Sequence, residues 1–284
     1  MGNRQIDKFT SLDGTISYTF LTNRAEHQIE QGYRLPTSVG VGANYAHDHL
    51  GNGVSPKDPR RITVRALITA ATATALETAV DEATTKIERI GKGWLYRLDV
   101  DGTTYRRCLA RPLSAPSVTF TGDFQFGVMP TSFGFLGLSD WQATSATTGS
   151  QTIDTANESV TINNTGNINC YAVTFRLRNN GTTRATSPVI FNTTTGQRAV
   201  FLRSMNVADH ELYYQTSARL VQFSDNNGAA YANDYSNFAG TDFYLKPGNN
   251  VLKVCCGRPH ALPWLNTIRI PNFDLEWSFY PSFA

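Results

Sequence analysis

Arg61 to Thr69 reads RITVRALIT, in which Ile62, Val64, Ala66 and Ile68 alternate with Arg61, Thr63, Arg65 and Leu67. A period of two sends successive side chains to opposite faces, so this run predicts a strand with one buried face. The period then changes. Leu76, Val80, Ala83, Ile87 and Ile90 are spaced four, three, four and three apart, one apolar stripe of an α-helix. Thr74 and Glu77 fit a capping box at its start, and Gly91 stands where a left-handed residue closes a helix. Glu82 and Lys86 lie one turn apart and can pair. The helix is predicted over Thr74 to Ile90.

Two further runs, Trp94 to Val100 and Thr103 to Ala110, flank Asp101-Gly102. Asp-Gly supplies the positive φ angles of a type I′ turn, which predicts a hairpin. Its register sets Trp94 opposite Leu109, Tyr96 opposite Arg107, Leu98 opposite Tyr105 and Arg97 opposite Arg106. Like charges facing across a ladder are unfavourable. Either the two guanidinium groups splay into water or an acidic patch on a partner meets them, so Arg97 and Arg106 are candidate oligomer contacts. Val118 to Val128 continues the strand pattern with Phe120, Phe124 and Phe126, and Phe133, Phe135 and Leu136 carry it toward Trp141. Strands, one helix, a hairpin and more strands make an α+β order, unlike the alternating βαβ of a nucleotide-binding sheet.

Between Val39 and Arg61 the chain reads GVGANYAHDHLGNGVSPKDPR without periodicity. So long a loop in a compact domain is usually functional, and it is expected to be an arm that orders against a neighbour. His47 and His49, which flank Asp48 in it, are further candidate contacts. They are also the chain's one metal-like cluster, but no further run of ligands accompanies them, and they read as polar loop residues rather than metal ligands.

Trp141 to Thr152 is small and polar, WQATSATTGSQT, and reads as a linker with a boundary near residue 145. Beyond it come short strand candidates: Ser159 to Ile162, Ala172 to Arg178, Val189 to Phe191, Ala199 to Leu202, Glu211 to Tyr214, Leu220 to Phe223, Asp242 to Leu245, Val251 to Cys255, Thr267 to Ile270 and Leu275 to Phe279. Separators such as Asn-Asn-Gly and Pro-Gly-Asn-Asn punctuate them, and no helical stripe competes. This spacing predicts a β-sandwich. The expected division is residues 1–145 and 146–284.

Composition narrows the function. The chain of 284 residues is 40% hydrophobic and 11% aromatic, too apolar for general disorder. Lys and Arg outnumber Asp and Glu by 15 to 14 through Asp140 and by 10 to 9 after it, so each half carries a formal charge of +1. That excludes the basic field of a nucleic-acid binder. No run approaches the roughly 20 apolar residues of a membrane span, and no secretion signal is visible, so folding in a cytoplasm is expected. The cysteines, Cys108, Cys170, Cys255 and Cys256, form no CxxC. Neighbours on a strand face opposite ways, so at most one of Cys255 and Cys256 meets Cys170 on a given face, and free thiols serving as small core groups are expected. The sequons at Asn163 and Asn192 read as chance products of an Asn- and Thr-rich chain.

The chain has no Walker loop, HExxH, GxSxG or EF-hand loop, and GVGANY lacks the third glycine of a dinucleotide site. The expectation is a chain with no catalytic centre, metal or cofactor. Aromatics crowd the end: Trp264, Phe273, Trp277, Phe279, Tyr280 and Phe283. They serve as core or oligomer contacts or, if exposed, as stacking surfaces for sugar rings.

The order of RITVRALIT, the helix ending IERIGKGWL, the hairpin ending RRCLARP, the Phe-rich strands, VTINNTGNINCYAVTFRLR and FYLKPGNNVLKV resembles the distal tail protein of siphophages across nearly the whole chain. The resemblance implies an α+β N-terminal domain of split-barrel-like strands with one helix, followed by an all-β galectin-like sandwich. It implies a non-enzymatic virion protein of the phage tail tip, assembled in the host cytoplasm as a homo-hexameric ring. The implied partners are the tail tube protein, the tail-tip hub protein and receptor-binding proteins. The polar constellation with which galectins hold galactosides has no counterpart around Trp264 and Trp277. Two other readings use the same sandwich: a carbohydrate- or receptor-binding tail adhesin, and a glycan-cleaving tail enzyme.

Overall fold

A computed structural model describes residues 5–21, 60–99, 101–118, 127–155, 158–206, 210–226, 228–256 and 272–283, together with the backbone of three short strands between residues 26 and 48. The chain forms two compact units, Met1–Trp141 and Gln142–Ala284.

The first unit contains β1 (Gln5–Ser11), β2 (Ser17–Thr19), β3 (Glu26–Glu30), β4 (Thr37–Val39), β5 (Ala46–Asp48), β6 (Arg60–Thr69), α1 (Ala73–Ile90), β7 (Gly93–Leu98), β8 (Tyr105–Pro112), β9 (Ser117–Val118) and β10 (Val128–Gly137). Its main sheet is antiparallel, in the order β2-β1-β7-β8-β10-β6-β3, with β9 on β10. In β6 the residues Ile62, Val64, Ala66 and Ile68 are buried, as the alternation requires. Strand β10 lies against β6 over its full length, and its Phe133 and Phe135 pack with Phe9 and Phe20.

Strand β1 was not evident in the sequence. QIDKFTS is mostly polar, and a register shift between Ile6 and Lys8 breaks its period, yet Ile6 and Phe9 are both fully buried.

Helix α1 buries Leu76, Ala83, Ile87 and Ile90, with Val80 half-buried on the same stripe. It packs on β1, β2 and β6. Burying a side chain the size of Leu76 or Ile87 contributes about 1.5–3 kcal/mol. The N-cap is Thr72, not Thr74 as the capping box suggested. Thr72 has extended backbone and its hydroxyl accepts the N–H of Ala75 at 3.2 Å. Thr74 already lies in the first turn, where its carbonyl accepts the Thr78 hydroxyl. At the other end Gly91, at φ 58°, donates its N–H to the Ile87 carbonyl.

The β7–β8 hairpin has the expected register, with Trp94 opposite Leu109 and Arg97 opposite Arg106. Its turn is not the expected type I′. The last cross-strand bond runs from the Asp99 N–H to the Thr104 carbonyl, the Gly102 N–H bonds the Asp99 carbonyl, and the Asp101 carboxylate accepts the N–H groups of Thr103 and Thr104. Asp101 therefore holds the loop with its side chain, and Gly102 alone supplies a positive φ among the described turn residues. Of the Phe-rich run, Phe120, Phe124 and Phe126 lie outside the described residues.

β11 (Trp141–Ala143) runs into the second unit, which continues with β12 (Thr147–Ile153), β13 (Val160–Asn164), β14 (Val173–Asn179), β15 (Ala185–Thr186), β16 (Pro188–Asn192), β17 (Gln197–Phe201), β18 (Ser204–Met205), β19 (Glu211–Gln215), β20 (Leu220–Ser224), β21 (Ala232–Asn233), β22 (Phe238–Gly240), β23 (Gly248–Cys256) and β24 (Phe273–Phe279). One sheet runs β12-β24-β14-β19-β20-β21 and the other β13-β23-β16-β17-β22. Phe175, Leu177, Leu275 and Phe279 from the first share a single core with Ile162, Ile190, Phe201 and Val254 from the second. Two antiparallel sheets around one core make a β-sandwich.

Two expectations fail here. The polar stretch read as a linker contains β12, which pairs with β24 along its whole length. Asp242 to Leu245 is not a strand, and only Leu245 makes a bridge, to Cys170. Thr267 to Ile270 lies outside the described residues.

Buried asparagines fix the loops at the strand ends. Asn164 donates to the Leu245 carbonyl and accepts the Gly166 N–H, and Asn179 does the same between Met205 and Gly181. Asn192 accepts the Thr194 N–H and is fully buried, so its sequon is closed in the folded chain. Cys170 and Cys256 are buried free thiols, as is Cys108 in the first unit.

Candidate functional site

Strand β7 delivers Arg97 to the buried side of its sheet. The side chain is 1% exposed, and its guanidinium lies over the Trp141 ring at 4.4 Å. Arg106, opposite it on β8, binds Asp99 at 2.7 Å, and Arg97 reaches the same carboxylate at 3.5 Å. The side chains do not splay into water: Asp99 of the same hairpin stands between them. The strand end thus places an anion between the two cations, which offsets part of their mutual repulsion. Arg97 is therefore a structural group of the first unit. Arg60 is similarly enclosed, 5% exposed and paired with Asp140 at 2.8 Å.

His47 lies on β5, where its backbone pairs with Ser38 of β4. His49 and the rest of the arm to residue 59 lie outside the described residues. Among the described residues no group of three or more His, Cys, Asp or Glu is placed to hold a metal ion, and no helix is long and apolar enough to cross a membrane.

Part of the aromatic C-terminal segment is core. Phe273 and Phe279 are buried, and Trp277 packs half-buried against the same cluster. Trp264 lies outside the described residues.

The most organised polar group of the chain was missed in the sequence. It lies on the outer face of the six-stranded sheet of the second unit. Glu211, 2% exposed, receives Arg176 Nε and Arg178 Nη2, each at 2.9 Å, and the Tyr231 hydroxyl. Arg176 continues to Glu276 at 3.4 Å and to Tyr231 at 3.2 Å. Burial alone would raise the Glu211 pKa, but the hydrogen bonds from Tyr231 and Arg178 and the charge of Arg176 leave it lowered. The same contacts, the Tyr231 bond first among them, raise the Arg176 pKa. A signal for this face was present. Val173, Phe175 and Leu177 point inward, so Arg176 and Arg178 must point out together, although nothing local names Glu211 as their partner.

No family model and no curated protein sequence matches the chain. Among solved structures it is similar to the Dit protein of phage SPP1, described as a paradigm of the hub adsorption apparatus in phages that infect Gram-positive bacteria. The identity is 13%, the alignment covers 96% of this chain and 98% of that one, and the TM-score is 0.59. Structures of the phage P2 baseplate in its activated conformation, with Ca and with Sr, align at 11% identity and a TM-score of 0.42, below the range that argues a common fold. The chain thus has a β-rich fold, with one α-helix among the described residues, like that of a phage Dit protein.

Proposed function

We propose that this Dit-like chain is a non-enzymatic structural component of the tail tip of a long-tailed phage. In this reading it forms a closed homo-hexameric ring that joins the tail tube to the baseplate hub and docks receptor-binding proteins. The observation that carries the reading is the likeness to SPP1 Dit over both units, across 96% of the chain. The number six comes from the family resemblance. Residues 1–145 are assigned the ring, and residues 146–284, read as a galectin-like sandwich, are assigned contacts with other tail proteins. A head-to-tail contact repeated by rotation closes into such a ring. The arm that carries His47 and His49 is the proposed means of reaching a neighbour. Arg106 remains a candidate contact, while Arg97 is enclosed by its own unit.

Native mass measurement with negative-stain imaging tests this. A six-subunit ring is expected, alone or on tail tube and hub partners. Deleting residues 43–54 should weaken the ring and leave the sandwich folded. A strictly monomeric chain that forms no ring on those partners would remove the proposal, and rings that survive the deletion would remove only the role of the arm. An adhesin on this fold would instead bind cell-surface glycan without closing a ring.

A further inference from the structure

The outer face of the β1-β7-β8 ladder in the first unit is apolar and aromatic. Leu95, Arg97 and Cys108 point to the core, so Trp94, Tyr96 and Leu98 of β7, with Tyr105 and Leu109 of β8, point the other way. Tyr105 is exposed, as is Leu138, whose N–H bonds the Leu109 carbonyl. Contiguous apolar surface on one face of a sheet marks a contact with another protein. Cations stand among these rings. Lys8 Nζ lies over Tyr96 at 4.8 Å and over Tyr105 at 5.9 Å, and the Arg107 guanidinium lies over Trp94 at 4.3 Å. Arg111 follows, exposed, on the same face of β8.

The acids of this region lie toward the hairpin turn: Asp7 acts on the Tyr105 hydroxyl, and Asp101 holds the loop. Toward the far edge of the sheet, Arg61 and Arg65 stand in register with Glu30 and Glu26 of β3. Among the described residues, the face around Trp94 and Tyr96 therefore carries Lys8, Arg107 and Arg111 against Asp7, and it favours an acidic partner.

The other side of the same unit carries such a surface. α1 lies on the inner face of the sheet, where the Ile90 and Phe9 side chains close over Gly93. Its solvent side thus looks away from Trp94 and Tyr96. Glu77, Asp81 and Glu88 are exposed there, and their spacing of four and seven makes one stripe along the helix. Glu82, Lys86 and Arg89 occupy another flank, where Lys86 pairs with Glu82 at 3.9 Å. A basic aromatic face and an acidic stripe on opposite sides of one unit cannot meet within a chain, but each fits the other on a second copy. That contact is head-to-tail, the kind that rotation closes into a ring.

We propose that the Glu77, Asp81 and Glu88 stripe of one copy docks on the Trp94 and Tyr96 face of the next. The proposal rests on the ring reading and names the two surfaces that close it.

The test uses three variants of the full chain: Lys8→Glu with Arg107→Glu, Glu77→Lys with Asp81→Lys, and all four changes together. Native mass spectrometry over a concentration series reads assembly, and thermal melting checks that each variant folds. Each pair alone sets like charges against each other and should raise the concentration of half-assembly at least about 100-fold. A one-to-one mixture of the two pairs should assemble again with equal numbers of each, and the four-change chain should assemble by itself. If the sheet pair does not fold, Lys8→Glu alone takes its place. Rings that form unchanged in either pair, or a mixture that stays apart, would overturn these surfaces and leave the ring reading standing. An unaltered chain that stays monomeric even with its tail partners would remove the ring reading and this contact together.

Discussion

Gly149 of β12 stands directly opposite Trp277 of β24, and a Cβ on the glycine would overlap the indole ring. Gly149→Ala must therefore displace a side chain packed on the core. Overpacking of this kind costs about 1–3 kcal/mol. Urea denaturation followed by tryptophan fluorescence should show that loss. Gly134→Ala in β10, whose new Cβ would sit 3.7 Å from Leu113, is the comparison and should stay within about 0.5 kcal/mol of the unaltered chain.

Asp99→Ala leaves Arg97 enclosed without its carboxylate and Arg106 facing it. Removing one partner of a buried ion pair costs about 3–5 kcal/mol, and the transition of the first unit should shift accordingly. Adding Arg97→Met to Asp99→Ala should recover much of the loss, because an apolar chain can occupy the space over Trp141. A double-mutant cycle reads the coupling directly, and additive effects would show that Asp99 does not hold the pair.

The Glu211 carboxylate has a folded pKa below its ordinary value of 4.5. An acid depressed on folding contributes stability above its unfolded pKa and loses it as pH falls through the folded one. Stability of the second unit should therefore decline from about pH 4.5 downward, the unfolded carboxylate range. Glu211→Gln should be less stable at neutral pH and show a flatter acid limb. An unchanged limb in the variant would assign the acid loss to other carboxylates.

Burial pushes the Cys108 and Cys256 thiols up to about 12. The thiolate is the reactive form, so both should resist iodoacetamide at pH 8 in the folded chain and react once it unfolds. Mass spectrometry of labelled peptides checks this site by site. Rapid native labelling of Cys108 would show that the first unit opens around it.

The elements legible in the sequence are those whose side chains alternate cleanly between core and solvent. Strand β6 and helix α1 carry unbroken periods, and the β7–β8 register follows from the sequence of its hairpin. Strand β1 escaped because a register shift separates Ile6 from Phe9. Strand β12 escaped because it lies at a sheet edge and buries fully only Ile153, so Thr, Gly, Ser and Gln fill positions that in a central strand would be apolar. The Glu211 network escaped for another reason. Its members lie on β14, β19 and β24 and in the loop before β21, and only the sheet order brings them together.

That order also sets when the second unit can form. β24 lies between β12 and β14, pairing with both, although more than ninety residues of chain separate it from either of them. During synthesis β12 and β14 emerge early with a gap between them that nothing yet made can fill. The six-stranded sheet closes only after Phe279 has left the ribosome. Until then β14 presents an open edge to every neighbouring nascent chain, and the unit is most vulnerable to mispairing in that interval.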